Sequence, residues 1–311
     1  MTRLNRNDNK KILQLKERHI TTVSDRIHYG KDEQADNKYI VLDPRHWTDS
    51  DPFLLMAEDW FSTNGFDWHP HRGIETITVV LEGELEHRDS RGGYGVLKPG
   101  DVQWMTAGRG VLHREMAYKK HSVHALQLWL NLPAENKMVE PRYQDLRGEE
   151  VPVWQDSGVE VRVFSGRSNN IEGPSGVSRY VPVTMLDVRL DSTTSNSSGG
   201  GNDETLFTQE LPAGDEGFVY VLSGRAQFSS DGTSVSAGQV GHLAHTKVVD
   251  GPTKLNVIAK EPLHFLLWTG RPLRQPAVAR GPFVMNTEKQ ILEAFSDYRA
   301  GEFGSIPTEN R

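Results

Sequence analysis

The sequence predicts an all-β protein that consists of two tandem jelly-roll barrels and a short C-terminal helix. Its length of 311 residues suffices for about two domains of roughly 150 residues each. Short alternating apolar runs, punctuated by 29 Gly and 16 Pro residues, extend over most of the chain, which is typical of β-sandwiches and barrels. One strand-and-turn pattern also occurs twice, once in each half. Together these observations favour two barrels of the same kind.

The repeated pattern is a strand, a glycine turn, a second strand and another glycine-containing turn. In the first half, residues 79–84 (Val-Val-Leu-Glu-Gly-Glu) precede residues 96–102 (Val-Leu-Lys-Pro-Gly-Asp-Val). In the second half, residues 219–225 (Val-Tyr-Val-Leu-Ser-Gly-Arg) precede residues 235–240 (Val-Ser-Ala-Gly-Gln-Val). This order of strands and turns is typical of the hairpins of a jelly-roll barrel.

Segments outside the repeats set the predicted domain boundaries. Pro141, Pro152 and an acidic pair between them indicate a linker. Near the C-terminus, Thr287 and Gln290 fit a capping box, and the following apolar residues are expected on one helix face: Ile291, Leu292, Phe295 and Tyr298. The predicted parts are an N-terminal extension at 1–24, a first barrel at 25–140, a linker at 141–158, a second barrel at 159–285 and a C-terminal helix at 286–304.

A Ser- and Gly-rich tract at residues 191–204 interrupts the second half. Its side chains cannot bury enough apolar surface to offset the entropy lost when the chain is ordered. We predict an inert loop there, with a regulatory or binding loop as the alternative.

Charge, hydropathy and cysteine content exclude several classes of function. The chain has 35 Lys and Arg residues against 42 Asp and Glu residues, a formal net charge of −7, whereas a nucleic-acid-binding protein needs a basic face. Its apolar runs are too short to span a bilayer, and no secretory leader is visible. The absence of cysteine excludes disulfides and thiolate chemistry. We expect a cytoplasmic monomer that binds neither nucleic acid nor membrane.

Two histidine-containing segments could supply metal ligands inside the first barrel. In the segment His-Pro-His-Arg-Gly-Ile-Glu, the alternate residues His69, His71 and Glu75 should share one face of a strand. His113 and Glu115 repeat this alternation on another strand. Three imidazoles with one or two carboxylates suit a divalent first-row transition metal. The spacing alone does not choose between Glu75 and Glu115 as the carboxylate ligand.

The second half lacks this pattern of ligands. Aligning the first glycine turns of the two halves places Glu210, Pro212 and Glu216 at the positions of the two histidines and the glutamate. Aligning the second glycine turns places Gly251 and Thr253 at the positions of His113 and Glu115. We therefore predict that the second barrel binds no metal. Several other histidines are predicted to be surface or incidental residues: His19, His28, His46, His87 and His264.

The segments around the candidate ligands resemble the signatures of the pirin family. Residues 69–76 and 81–89 are similar to the first signature, and residues 99–116 (Pro-Gly-Asp-Val-Gln-Trp-Met-Thr-Ala-Gly-Arg-Gly-Val-Leu-His-Arg-Glu-Met) are similar to the second almost residue by residue. Further similar stretches are 126–133, 140–144, 270–272 and 281–286. The resemblance covers about residues 24 to 304, with the tract at 191–204 longer than the turn usual in the family. It implies a bicupin with one metal site in the N-terminal barrel.

The resemblance also implies which residues bind the metal and what the site does. The implied ligands are His69, His71, His113 and Glu115, and Glu75 either supports them or is an alternative ligand. The implied metal is Fe(II), with Mn, Cu, Ni, Co or Zn as alternatives. The implied activity is that of a quercetin 2,3-dioxygenase, which acts on a flavonol and O₂, and Glu115 or Glu75 is the candidate base. The alternative is a non-enzymatic redox-sensing regulator that binds a protein partner, as transcriptional co-regulators do.

Overall fold

The computed structural model describes residues 11–191 and 204–307. Residues 192–203, which make up most of the predicted polar loop, and residues 1–10 of the predicted N-terminal extension lie outside the described chain. The described strands are β1 (Lys16–Glu17), β2 (Ile20–Asp25), β3 (Ile27–Gly30), β4 (Asn37–Leu42), β5 (Phe53–Phe61), β6 (Gly65–His71), β7 (Ile74–Glu82), β8 (Leu85–Asp89), β9 (Tyr94–Leu97), β10 (Val102–Thr106), β11 (Val111–Ala117), β12 (Val123–Asn131), β13 (Arg142–Leu146), β14 (Val153–Asp156), β15 (Val159–Ser165), β16 (Arg167–Ser168), β17 (Ile171–Glu172), β18 (Val183–Leu190), β19 (Thr205–Leu211), β20 (Glu216–Ser223), β21 (Arg225–Phe228), β22 (Ser234–Ser236), β23 (Gln239–Leu243), β24 (Thr253–Ala259), β25 (Leu263–Gly270), β26 (Val278–Arg280) and β27 (Phe283–Met285). Residues 11–13 are helical, the longer helix is α1 (Glu288–Arg299), and short 3₁₀ turns lie at Pro44–Asp49, Tyr118–Lys120, Ala134–Asn136 and Val248–Asp250.

The chain divides into two compact units, each with its own β-sheets. The N-terminal barrel unit comprises residues 27–150 together with residues 273–307, and the C-terminal barrel unit comprises residues 151–191 and 204–272 together with residues 11–26. The prediction of a mostly β protein with two barrels and a short C-terminal helix is confirmed. None of the helices among the described residues is long and apolar enough to cross a membrane.

The barrel of the N-terminal unit is built from two sheets, and β26 and β27 of the same unit form a separate two-stranded sheet. Seven strands follow the order β13-β10-β7-β12-β5-β4-β3, and four follow the order β6-β11-β8-β9. Gly83, in the turn between β7 and β8, has φ +75°, and a Cβ there would lie 2.0 Å from the Ser122 carbonyl oxygen, so only glycine fits. The repeat seen in the sequence therefore corresponds to a turn that the backbone requires.

The C-terminal barrel unit repeats this arrangement. Gly224 has φ +79°, and its Cβ would lie 2.1 Å from the Pro262 carbonyl oxygen. Its seven-stranded sheet has the order β14-β15-β18-β25-β20-β23-β2. Ile20–Asp25 form edge strand β2 and pair antiparallel with β23, although residues 20–24 were predicted to belong to an N-terminal extension and Asp25 to the first barrel. The side chain of Ile20 joins the apolar core of this unit, so burial of an apolar residue fixes the strand there.

The predicted N-terminal cap of helix α1 is present, but only part of the predicted apolar face is buried. The hydroxyl of Thr287 accepts a hydrogen bond from the Gln290 backbone N–H at 3.2 Å. Ile291 is buried, and Phe295 packs against the same cluster. The prediction for Leu292 is wrong: its side chain is 69% exposed, because it lies one residue beyond Ile291 and so points about 100° away from the packed face.

Lys137 is a buried lysine in the N-terminal barrel unit. Its Nζ donates hydrogen bonds to the Gly73 carbonyl at 2.8 Å, to Asn131 Oδ1 at 2.7 Å and to the Val284 carbonyl at 2.9 Å. These contacts tie the turn before β7 to β27, two segments that are distant in sequence. Lys137 therefore contributes to stability through hydrogen bonds that water cannot replace.

Replacing Lys137 by methionine is expected to lower the free energy of unfolding by ~2–4 kcal/mol, because three buried acceptors lose their donor while the apolar stem is kept. Urea denaturation followed by circular dichroism measures the change. The exposed Lys289 supplies the control, since Lys289→Met should change the free energy of unfolding by less than ~0.5 kcal/mol. Equal stabilities of the two variants would contradict this role of Lys137.

Candidate metal centre

Strands β6 and β11 bring three imidazoles together. The two strands pair antiparallel, with His113 opposite His69 and Val111 opposite His71. Each imidazole offers one nitrogen to a group in which all three nitrogens lie within 4.8 Å of one another. His71 and His113 are buried, and His69 is partly exposed. The alternation of β6 thus places both of its histidines on one face, beside the histidine of β11.

The imidazoles are oriented through their Nδ1 atoms. Nδ1 of His69 lies 2.7 Å from the Asp67 carbonyl oxygen, and Nδ1 of His71 lies 3.4 Å from the Pro282 carbonyl oxygen. Buried Nε2 atoms of His71 and His113 have no hydrogen-bond partner. Metal-ligating histidines are held in this way, with one nitrogen bound to a protein acceptor and the other directed at the ion. The donor set therefore fits a metal ion.

The electrostatics of the site favour the form of histidine that binds metals. Burial lowers the pKa of His69 and lowers the pKa values of His71 and His113 well below their usual range. A lowered pKa keeps each imidazole neutral at physiological pH. Neutral imidazole has the free lone pair that coordination requires.

Glu115 lies on β11, two residues after His113, and is fully buried. Its Oε1 accepts a hydrogen bond from the Thr78 hydroxyl at 2.9 Å, and its Oε2 accepts one from Gln127 Nε2 at 2.7 Å. Burial raises the pKa of this carboxyl group. The group of nitrogens within 4.8 Å comprises the three imidazoles and not the Glu115 carboxylate. Ligation by Glu115 therefore remains a prediction.

Glu75 does not share a face with His69 and His71, contrary to the expectation from alternation. The strand breaks after β6, because Gly73 adopts φ +80° and β7 belongs to the other sheet. Thr78 on β7 faces Glu115, so Glu75, three residues earlier, points to the opposite face. There its Oε1 accepts a hydrogen bond from the Thr106 hydroxyl at 2.5 Å.

Replacing Glu75 by glutamine should leave metal content unchanged and alter only the pH dependence of stability. Burial raises the pKa of Glu75 from 4.5 to about 7, so the folded state holds more protons than the unfolded state between these values. The free energy of unfolding therefore falls as the pH rises through this range. Because glutamine stays neutral, Glu75→Gln should exceed the parent protein in stability at pH 8 by up to roughly 3 kcal/mol and match it near pH 4.5.

Two measurements check this expectation: metal analysis of the purified variant, and urea denaturation at several pH values. Loss of metal from Glu75→Gln would contradict the placement of Glu75 away from the imidazoles.

The prediction that His87 is a surface or incidental residue is wrong. His87 on β8 is 0% exposed, and its Nε2 lies 3.1 Å from Nδ1 of His113. Coordination through His113 Nε2 requires its Nδ1–H to donate to His87. The signal in the sequence was the alternation of Leu85, His87 and Asp89, all of which are buried on one face of β8.

A cavity of about 230 Å³ adjoins the centre, and its lining is mostly apolar. Trp47, Leu54 and Val284 contribute to the lining, and Trp129 forms the part nearest the histidines. The Trp129 ring meets the His71 ring edge to face, with 5.0 Å between ring centroids. Sequence reasoning missed this cavity because its lining comes from four separate segments.

Trp129 is also linked to Glu115 by hydrogen bonds. Its Nε1 donates to Gln127 Oε1 at 3.1 Å, and Nε2 of Gln127 donates to the Glu115 carboxylate. Gln127 and Trp129 are alternate residues of β12 and therefore share the inner face of the sheet. The cavity and the buried carboxylate thus belong to one connected site.

Comparisons with known proteins agree with this architecture. The Pirin family model matches residues 22–130, and the Pirin C-terminal cupin domain model matches residues 202–304. Human pirin is 41% identical over 258 residues, which are 82% of this chain and 83% of the human protein.

Solved structures show the same relationship. A Geobacillus kaustophilus protein is 42% identical with a TM-score of 0.77, covering 85% of this chain and 100% of that chain. A quercetin 2,3-dioxygenase from Acinetobacter baumannii is 30% identical with a TM-score of 0.80, covering 94% of this chain and 100% of that chain. The chain therefore belongs to the pirin family, and its two barrels are cupin domains.

Proposed function

We propose that the protein is a metal-dependent dioxygenase that opens the ring of a flavonol, with quercetin 2,3-dioxygenase activity. The observation that carries this proposal is the convergence of three neutral imidazoles next to a buried carboxylate and an apolar cavity. The likeness to the quercetin 2,3-dioxygenase from Acinetobacter baumannii supports it. Three histidines and Glu115 would together form a donor set that suits a divalent first-row transition metal.

His69, His71 and His113 would hold the ion, and Glu115 would complete the set. Imidazole and carboxylate ligands suit Fe(II), and Mn, Cu, Ni, Co or Zn are alternatives. When bound, such an ion supplies Lewis-acid stabilisation of the substrate oxyanion and holds substrate and O₂ within reach of each other.

The apolar cavity would bind an aromatic ring of the substrate. Trp47 and Trp129 offer ring faces and edges, and aromatic pairs gain energy beyond the burial of area. The Trp129 contact with His71 places this lining beside the imidazoles. A flat, largely apolar molecule with one polar edge is therefore the class of substrate that the site favours.

Glu115 would act as the base that accepts the proton of the flavonol 3-hydroxyl. Burial raises its pKa, which strengthens the carboxylate as a proton acceptor. Hydrogen bonds from Thr78 and Gln127 hold the two oxygens in place. Cleavage of the C2–C3 and C3–C4 bonds, with both atoms of one O₂ retained in the ring-opened product, would then release C3 and its oxygen as carbon monoxide.

Oxygen uptake by the iron-reconstituted protein in the presence of quercetin tests this function. We expect uptake to equal quercetin loss and Glu115→Gln to lower kcat by about 10²–10⁴-fold, because the base is lost. Glu75→Gln is the matched control, since this buried carboxyl group lies on the opposite face, and it should retain turnover. Metal-loaded protein that takes up no oxygen would overturn the proposal and favour a partner-binding regulator instead.

A further inference from the structure

The C-terminal barrel unit contains a cleft of about 630 Å³ that no role described above explains. Its volume lies within the range of small-molecule sites. Glu210 and Pro212 line it, and these residues align with the two metal-binding histidines of the other barrel. The cleft therefore lies at the end of the C-terminal barrel that corresponds to the end of the N-terminal barrel where the candidate metal ligands lie.

One polar group of the lining and one next to a lining residue lack hydrogen-bond partners. Thr184, which lines the cleft, lies directly opposite Thr269 in the pairing of β18 with β25. The Thr269 hydroxyl is buried without a hydrogen bond, and so is Nδ2 of Asn169 in the lining. Two residues further along these strands, Leu186 and Leu267 fill the apolar core. Burying unpaired polar groups costs free energy, so their presence indicates a polar occupant.

Guanidinium groups make the cleft rich in hydrogen-bond donors. Nε of Arg167 donates to the Asn169 carbonyl at 2.6 Å, while Nε and Nη2 of Arg271 contact Asp215 and Ala213 at 3.3 and 2.6 Å. These contacts use only some of the N–H groups of the two side chains. Both arginines line the cleft, so the remaining donors are available to a ligand.

A third arginine lies behind Asp215. Nη1 of Arg18 donates to the Asp215 carbonyl at 2.5 Å, and Nη2 of Arg18 is buried without a partner. Asp215 therefore contacts two guanidinium groups, Arg271 through its carboxylate and Arg18 through its backbone carbonyl. Glu172 and Glu210 are exposed residues of the lining and supply negative charge at its outer part.

We propose that this cleft binds a small metabolite that carries one carboxylate and a polar remainder. Arg167 and Arg271 would bind the carboxylate, because a guanidinium matches its geometry. Asn169 and Thr184 would donate further hydrogen bonds. Glu172 and Glu210 would repel additional negative charge, so a monocarboxylate or an amino acid binds in preference to a polyanion.

Isothermal titration calorimetry on the zinc-loaded full chain tests the proposal. The probes are gluconate and L-glutamine, each with one carboxylate, together with citrate as a polyanion and glucose as a neutral polyol. We expect saturable binding of gluconate or L-glutamine, with citrate and glucose at least ten-fold weaker. If gluconate binds and L-glutamine does not, the ligand is a simple monocarboxylate; the reverse result indicates an amino acid.

Variants of residues that line the cleft test whether the ligand binds there. Arg167→Met and Thr184→Val should weaken binding at least ten-fold while circular dichroism shows unchanged folding. Arg225→Met removes an exposed arginine of the same unit that does not line the cleft, and it should change the affinity less than two-fold. Absence of saturable binding by both monocarboxylates, equal binding of glucose, or equal weakening by Arg225→Met would overturn the proposal.

Discussion

Replacement of His113 by alanine is expected to abolish metal retention, reducing the bound metal from about one ion per chain to nearly none. His113 is fully enclosed, with its Nε2 lacking any protein partner. Without it, two imidazoles remain, too few to hold a first-row ion tightly. We expect the free energy of unfolding of the metal-free protein to fall by only about 1–3 kcal/mol, because the substitution leaves a cavity and removes the hydrogen bond to His87.

Metal analysis by mass spectrometry after gel filtration measures this effect, and thermal denaturation of the metal-free proteins measures the change in the fold. His46 is exposed, and His46→Ala therefore serves as the control, with metal content equal to that of the parent protein. Full metal content in His113→Ala would show that the ion binds elsewhere. Unfolding of the variant would be visible by circular dichroism, and His71→Ala then provides a second test of the same centre.

Replacement of His87 by phenylalanine is expected to weaken metal binding about 10–100-fold without removing a ligand. The imidazole of His87 accepts the Nδ1–H of His113 when His113 binds metal through Nε2. Burial lowers the pKa of His87 to about 4, which keeps it neutral and able to accept. Phenylalanine preserves the packing against Tyr143 but leaves His113 Nδ1–H buried without an acceptor.

Competition with a chromogenic chelator measures the dissociation constant for Zn²⁺. His87→Gln retains an acceptor and should recover most of the affinity lost in His87→Phe, which a purely structural role of the ring would not predict. The exposed His46→Phe variant should bind Zn²⁺ as the parent protein does. An unchanged dissociation constant in His87→Phe would mean that packing alone orients His113.

The two barrels were predictable from the sequence because their turns are encoded locally. Gly83 and Gly224 adopt a left-handed backbone conformation beside a carbonyl oxygen, and a short flanking pattern is enough to identify such turns. The helix cap at Thr287 was predictable for the same reason. By contrast, the pairing of β2 with β23 joins residues more than 200 positions apart, and no local pattern specifies such a pairing.

The candidate metal centre shows the same division between local and long-range information. Alternation along β6 placed His69 and His71 on one face, and the structure brings both to His113. Alternation failed for Glu75, because a break at Gly73 moves the chain into another sheet and reverses the face. The spacing of residues predicts a shared face only while one strand continues.

The sequence by itself determined the fold class, the repeat and the three imidazoles, since each follows from residue types and spacings within short segments of the chain. Only the tertiary structure decided the partners of those imidazoles. His87 supports His113, Gln127 and Thr78 hold Glu115, and Trp129 contacts His71 and lines the adjoining cavity. These contacts depend on which strands become neighbours, and strand pairing is set by the burial of the whole core rather than by any one segment.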